Sequence, residues 1–433
     1  MSFRNLKSVL LACSGAAVLL AATTAANAGG FALREQSAAG QGASFAGVAA
    51  GGALSSMFWN PSTMTQFSGK TFEGDVAAII PSVNHSYTAS TLAPFYPATP
   101  GNSGLSAAVP SFYASWQFAD QWWVGLSVNT PFGLAVTFPR AAATAGYAQS
   151  TDIKSYNFSP SIAFKVNEML SVSVGAQIQY MKISYDGFAG LALPTPALAT
   201  INGNGYSYGY TLGATLTPMA GTKIGIGYRS QLDQKLSGSF STTTGVNLAA
   251  NTTVPLPALF SLGLNQRLSD RWTLLAEFEW QNWGRIGQPL LFNSATGGTI
   301  TTFPLAYSDG YFYSLGAEYQ FDPNLKLRAG IAFEKSPITD QVRTPRLPDN
   351  DRMWYSIGAS YKPSMWPRTT FDIGYSFIKS KNTPINVVAG NPSFGGAGVY
   401  IGSVDANVNI ISVAMRYQWD DAQAKPIHQR YTK

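Results

Sequence analysis

The stretch LSVSVGAQIQY, residues 170–180, alternates with a period of two. Leu170, Val172, Val174, Ala176, Ile178 and Tyr180 face one way; Ser171, Ser173, Gly175, Gln177 and Gln179 face the other. Successive side chains of an extended chain point to opposite faces, so this segment is a strand with one apolar and one polar face. Thirteen further segments repeat the pattern: 70–80, 111–118, 122–129, 152–166, 206–216, 222–236, 258–267, 272–280, 311–321, 325–333, 352–361, 369–377 and 409–419. Each is near the roughly 9 to 11 residues that cross a bilayer as a tilted strand. Beyond residue 28 no run of 18 apolar residues occurs, which excludes helical membrane spans there.

The connections alternate in length. ADQ, NEM, TPMAG, SDR, DPN and KPSMWP are tight, whereas those at 81–110, 129–151, 181–205, 237–256, 284–310, 334–351 and 378–408 are long. Six short turns and seven long loops fit fourteen up-and-down strands with both chain ends on one side, the asymmetry of bacterial outer-membrane barrels.

The charges fall accordingly. Only 12% of the 433 residues are Asp, Glu, Lys or Arg, against about 25% in an ordinary chain. Glu73, Asp75, Arg229, Glu277, Glu279, Glu318, Lys326, Arg328, Asp372 and Arg416 all lie on the face opposite the aliphatic residues. A basic side chain on the lipid side at mid-membrane costs about 2 to 4 kcal/mol, so one face is kept free of charge. A soluble β-sandwich would show the same alternation turned inward. Against it, Trp116, Trp122, Trp272, Trp280, Tyr180, Tyr319 and Trp419 sit at strand ends, where interfacial girdles belong. In lipid the sheet must close, and fourteen strands enclose a lumen wider than their own side chains fill.

Residues 1–28 have the three parts of a secretory signal: Arg4 and Lys7, an apolar run 9–22, then Ala26-Asn27-Ala28. Cleavage after Ala28 removes Cys13, the single cysteine, and with it any disulfide or thiolate metal site. The formal charge of +6 falls by two with Arg4 and Lys7, too mild a balance for nucleic-acid binding. The expected organisation is a signal peptide 1–28, a segment 29–69, a barrel 70–419 and a tail 420–433. Segment 29–69 is rich in Ala, Gly and Ser and lacks alternation. Composition leaves both a disordered leader and a folded plug open. Asn60-Pro61 ends it, because Pro removes a donor and biases Asn60 away from helix.

GGFALREQSAAGQG, FWNPS, TPFGL (130–134), GYRSQL (227–232), GIAFEKSP (330–337) and RLPDNDRMWYSIG (346–358), in this order and spacing, resemble the FadL family of outer-membrane transporters for long-chain fatty acids and other hydrophobic compounds. The resemblance implies a fourteen-stranded barrel closed by an N-terminal hatch within the lumen. It also implies a ligand path from an outer groove to a site near the hatch and out sideways through the wall. Phe31 and Leu33 are ligand candidates by this resemblance, and Asn60, Pro61 and Ser62 would shape the hatch exit, with Ser62 where the family usually has Ala. Two departures stand out: loop 181–205 looks short, and a lysine common ahead of the strand SDGYFY is absent, leaving Asp309. The tail 420–433 is a further one.

Trp123, Leu275, Phe312 and Trp354 put apolar surface on the charged face, and GFAGLALPTPALAT is greasy for a loop. Such surface marks either an apolar ligand or packing against the hatch. Arg346 and Arg352 could hold an acidic head group, though pairing with Asp349 and Asp351 is the favoured reading. Arg229 is a lumen candidate, with Glu277 or Glu279 as alternative partners. His85 and His428 are the only imidazoles, and neither has a Ser/Asp arrangement suggesting a triad, so no enzyme and no cofactor is expected. The sequence therefore predicts a monomeric, passive outer-membrane channel in contact with lipid, taking up hydrophobic compounds, long-chain fatty acids foremost. Aromatic hydrocarbons as cargo, or a general porin for small polar solutes, are the alternatives.

Overall fold

Fourteen strands form where the alternation places them, in a computed structural model that describes residues 29–147, 149–188, 197–394 and 398–419. They are β1 (Lys70–Ser90), β2 (Ala107–Ala119), β3 (Trp122–Asn129), β4 (Ser150–Lys165), β5 (Leu170–Phe188), β6 (Leu198–Met219) and β7 (Thr222–Arg229), then β8 (Leu259–Arg267), β9 (Trp272–Gln281), β10 (Gly310–Gln320), β11 (Leu325–Lys335), β12 (Arg352–Tyr361), β13 (Thr369–Ser380) and β14 (Tyr400–Gln418). Each pairs antiparallel with its sequence neighbour, and β1 pairs with β14 from Thr71↔Gln418 to Ser90↔Tyr400, which closes the barrel. Closure pairs the edge of the first strand with that of the last, as hydrocarbon demands. The expected signal peptide and the tail 420–433 lie outside the described residues.

The faces agree with the sequence. Along β5, Val174 is 49% exposed on the lipid side, while Gln179 on the lumen side is fully buried. Trp116, Trp122, Trp272 and Trp419 are exposed at the short-turn end. Several boundaries differ from expectation: β1 runs on to Ser90 and β14 begins at Tyr400, inside the expected loops 81–110 and 378–408. Residues 181–205 are not one long loop: β5 and β6 pair as far as Phe188↔Leu198, so most of it is strand that rises beyond the bilayer. Of the greasy stretch, 189–196 lie outside the described residues. Segment 222–236 is not one strand either; it breaks after Arg229 and resumes as a hairpin of Leu232–Thr242 with Asn247–Leu256.

Segment 29–69 is folded and buried inside the lumen. It holds one short helix, α1 (Ala38–Gln41), whose Ser37 side chain caps the Gly40 N–H, and three 3₁₀ turns. Phe45, Val48, Leu54, Met57, Phe58, Trp59 and Met64 form its apolar core with Tyr113, Trp123, Phe312 and Trp354 of the wall. Lumen-side glycines let its backbone touch the wall: a Cβ on Gly227 would lie 1.9 Å from Trp59 O, and one on Gly330 2.2 Å from Ala43 O. Wall carboxylates hold it by accepting its orphan amides. Asp75 takes Ala38 N at 2.8 Å, Glu73 takes Leu54 N at 2.8 Å, and Glu277 takes Ala49 N at 3.2 Å.

Candidate functional site: a hatch-sealed window and two pockets

The wall is interrupted at the seam between β2 and β3. β2 and β3 pair only as far as Phe112↔Val128. Beyond Thr130-Pro131-Phe132 the chain continues as Gly133–Thr137, which pairs with β4 and not with β2. Pro131 has no N–H to extend the ladder, so the strand swings out of register there. The hatch takes the vacated place: Leu33 N donates to Pro131 O at 2.8 Å and Gly133 N to Phe31 O at 2.9 Å. Gln36 fills the remainder, donating to Thr130 O at 2.9 Å, while its carbonyl accepts from Tyr113 Oη at 2.6 Å and Ser111 Oγ at 3.2 Å. The opening is thus closed by the first residues of the hatch, not by a strand.

Two cavities meet behind this window. The inner one is lined by Leu33, Phe58, Trp59, Pro131, Phe132 and Arg229 among others. The outer one is mainly apolar, with Phe31, Leu134, Ile183, Leu236, Phe303 and Arg346 in its lining. Phe31 lines the outer cavity and Phe132 the inner, their rings 6.0 Å apart, with Trp283 edge-on to Phe31 at 4.8 Å. The N-terminal end of the hatch therefore stands between the cavities and against the window at once.

Arg34 and Arg229 line the inner cavity and Arg346 the outer; Arg34 pairs with Glu279, whereas among the described residues neither Arg229 nor Arg346 forms an ion pair. Arg229 is buried and donates to Phe58 O at 3.1 Å, Asn157 Oδ1 at 3.1 Å and Gln177 Oε1 at 2.8 Å, with the Phe58 ring 4.5 Å away. The expected partners Glu277 and Glu279 are taken by the hatch, Glu279 by Arg34 and Trp59 Nε1. Arg346 stacks 4.4 Å over the Tyr185 ring and donates to Tyr185 Oη at 2.9 Å and Tyr147 O at 2.7 Å. Its expected pairing with Asp349 or Asp351 does not form.

Other candidates lie away from the two cavities. Arg352 is buried between Glu334 at 3.0 Å and Asp349 at 3.2 Å and lines neither cavity. Phe312 and Trp354 pack on the hatch, Phe312 under the Arg34 guanidinium at 3.6 Å and Trp354 edge-on to Phe45 at 5.9 Å, and neither lines the two cavities. Asp309, standing where a lysine was looked for, accepts from Trp280 Nε1 and Gly284 N at 2.9 Å each. Asn60 latches the hatch exit to the wall: its amide donates to Ala49 O at 2.8 Å and Ala214 O at 2.9 Å, while Oδ1 caps Ser62 N at 3.0 Å. Pro61 opens the following 3₁₀ turn and Ser62 Oγ meets Thr215 Oγ1 at 2.7 Å. Sequence reading missed the window itself, although Pro131 at the end of a strand was its signal. It also missed that His85 Nε2 meets Ser103 Oγ at 2.8 Å; Ser103 is buried and no described group bonds His85 Nδ1.

A closed antiparallel barrel with a lipid-facing belt, a folded lumenal hatch and apolar cavities behind a side window defines an outer-membrane transport barrel. Residues 19–419 match the family described as outer membrane protein transport protein (OMPP1/FadL/TodX), and the chain belongs to that family. It is 27% identical to a long-chain fatty acid transport protein of Salmonella typhi over 399 residues, 84% of this chain and 90% of that protein. The corresponding protein of Escherichia coli K12 is 26% identical over 416 residues, 86% and 92% of the two chains. The crystal structure of a Pseudomonas aeruginosa FadL homologue superposes with a TM-score of 0.83 at 23% identity, covering 91% of this chain and all of that one. The Pseudomonas putida toluene transporter TodX shares the fold at a TM-score of 0.67 and 15% identity, over 88% and 98%.

Proposed function

We propose that this protein is a passive uptake channel for long-chain fatty acids in the outer membrane. The observation that carries the reading is a mainly apolar cavity whose lining has one guanidinium, Arg346, with no carboxylate among the described residues paired to it. An alkyl chain fits the apolar walls, and a carboxylate fits a guanidinium already oriented by Tyr185 and the Tyr147 carbonyl. The curated relatives in Salmonella typhi and Escherichia coli, named for long-chain fatty acid transport, support the same cargo.

Cargo entering between the long strands reaches the outer cavity, where Phe31 blocks its descent. Displacement of Phe31 and Leu33 joins the two cavities, and Arg229 offers the head group a second station. The same displacement breaks the bonds from Leu33 and Phe31 to the Pro131 strand and unseals the window toward the membrane. Asn60, Pro61 and Ser62 keep the rest of the hatch on the wall meanwhile. Movement follows the concentration gradient. The barrel, closed by the pairing of β1 with β14, suits a monomer.

Uptake in a transporter-null host, offered oleate, toluene and a polar sugar in parallel, tests this. Oleate should enter fastest, and Arg346→Ala should slow it by about tenfold, the loss of one charge-assisted hydrogen bond of roughly 1.5 kcal/mol. Faster sugar entry would replace the reading with a general porin, and toluene without oleate with a hydrocarbon channel.

A further inference from the structure

Gly29 and Gly30 are buried in the lumen, and the charges around them do not balance. The Gly29 N–H donates to Glu334, and the Gly30 N–H to Asp349 Oδ2 at 3.2 Å. A Cβ on Gly29 would lie 2.5 Å from Glu334 Oε1, so that carboxylate sits directly against the first residue of the hatch. Four buried acids, Glu35, Glu279, Glu334 and Asp349, share two guanidinium groups. Arg34 pairs with Glu279 and lies 3.7 Å from Glu334; Arg352 lies 3.0 Å from Glu334 and 3.2 Å from Asp349. A second observation points the same way: Glu35 Oε2 is buried with no hydrogen-bond partner among the described residues. Burial, with the nearby Glu334 charge adding to it, pushes the Glu35 carboxyl up to about 7, and burial raises Asp349 too. Buried carboxylates short of cations are costly, so the cluster is built for one more positive charge.

The sequence contains a source for it. Hydrolysis of the Ala28–Gly29 peptide bond breaks the C–N bond; the hydroxyl of water goes to the Ala28 carbonyl carbon and its proton to the Gly29 nitrogen. That amine takes up one further proton at neutral pH. We propose that the resulting α-ammonium of Gly29 is the missing cation, bound in the lumen by Glu334 with Asp349 and Glu35 around it. An amide at this position offers one N–H and no charge; the ammonium offers three donors and a full charge. The pairing fixes the chain two residues before Phe31 and four before Leu33, the two side chains that divide the cavities. Removal of the leader thereby completes the hatch, and a chain still carrying residues 1–28 lacks the charge that seats it.

The test uses the mature protein purified from membranes in detergent, with no uptake read, so its outcome is separate from that of the transport reading. N-terminal sequencing should give Gly29 first. Brief reductive dimethylation, followed by mass spectrometry of the N-terminal peptide, should label Gly29 at least tenfold more slowly in the folded than in the unfolded chain, while the exposed Lys362 reacts alike in both. Burial alone would lower the amine's midpoint, whereas pairing raises it. The rate-against-pH profile should therefore move from the ordinary value of about 8 to above about 9. Glu334→Gln should return the midpoint toward 8; if that variant does not assemble, the wild-type profile decides. A first residue other than Gly29, labelling at the unfolded rate, or a midpoint at or below 8 would each overturn the proposal.

Discussion

The seam between β9 and β10 and the seam between β2 and β3 start alike at the short-turn rim and end differently. The first runs without a break from Trp272↔Tyr319 to Gln281↔Gly310. The second stops at Phe112↔Val128, and the rest of its length is closed by Phe31, Leu33 and Gln36 of the hatch. Both show the same alternation and the same girdle at the rim. What separates them is one residue without a backbone donor, Pro131, and a plug long enough to reach it. A sealed seam is held by a ladder of hydrogen bonds that lipid cannot replace. The other is held by a removable segment, and that makes it a door.

The largest expected effect comes from loosening the plug. Glu279→Ala leaves Arg34 buried with Glu334, 3.7 Å away, as its remaining ion-pair partner among the described residues, a loss of roughly 3 to 5 kcal/mol for breaking a buried pair. The hatch should become cleavable by added protease while the barrel still resists it; an unchanged digestion pattern would mean Arg34 does not hold the plug. Next, Pro131→Val restores a donor at the break and favours extension of the ladder. Oleate uptake should fall several-fold, and uptake at the wild-type rate would separate the break from transport. Asn60→Ala with Pro61→Ala removes the latch to Ala214 and Ala49, at about 1 to 3 kcal/mol for the buried groups left unpaired. Uptake should slow without loss of barrel assembly, checked by the heat-dependent gel shift of the barrel. Smallest of all, Leu274→Ala on the lipid face of the sealed seam should leave uptake unchanged, since its side chain meets lipid alone.

The same comparison marks what sequence could tell. The wall was legible because lipid on one side and a wet, charged lumen on the other force a period of two, and β5 or β9 shows it residue by residue. Strand tops such as Met181–Phe188 blurred because the alternation inverts there: Met181, Ile183 and Tyr185 turn apolar surface inward to the outer cavity and its apolar cluster, and Lys182, Ser184 and Asp186 face the other way. The plug was not legible from composition, since Ala, Gly and Ser suit a disordered leader as well as a close-packed turn. Its order comes from distant partners: Glu73, Asp75 and Glu277 accept its amides, and wall glycines such as Gly227 admit its backbone. The site residues divided along the same line. Phe31, Leu33 and Arg229 do line the cavities, whereas Phe312, Trp354 and Arg352 turned out to support the hatch. Residue type alone cannot separate a lumen aromatic that meets cargo from one that meets a plug.

The claim that cargo leaves through the β2–β3 window, opened by the N-terminal end of the hatch, has a direct test. Ser111 Oγ lies 3.2 Å from the Gln36 carbonyl across the opening, and the described residues contain no cysteine. Cysteines at Gln36 and Ser111 would bridge hatch to wall at the window. Oleate uptake should fall to the background of the transporter-null host when the pair is oxidised and recover on reduction. Uptake at the full rate with the bridge demonstrably formed would contradict the sideways exit.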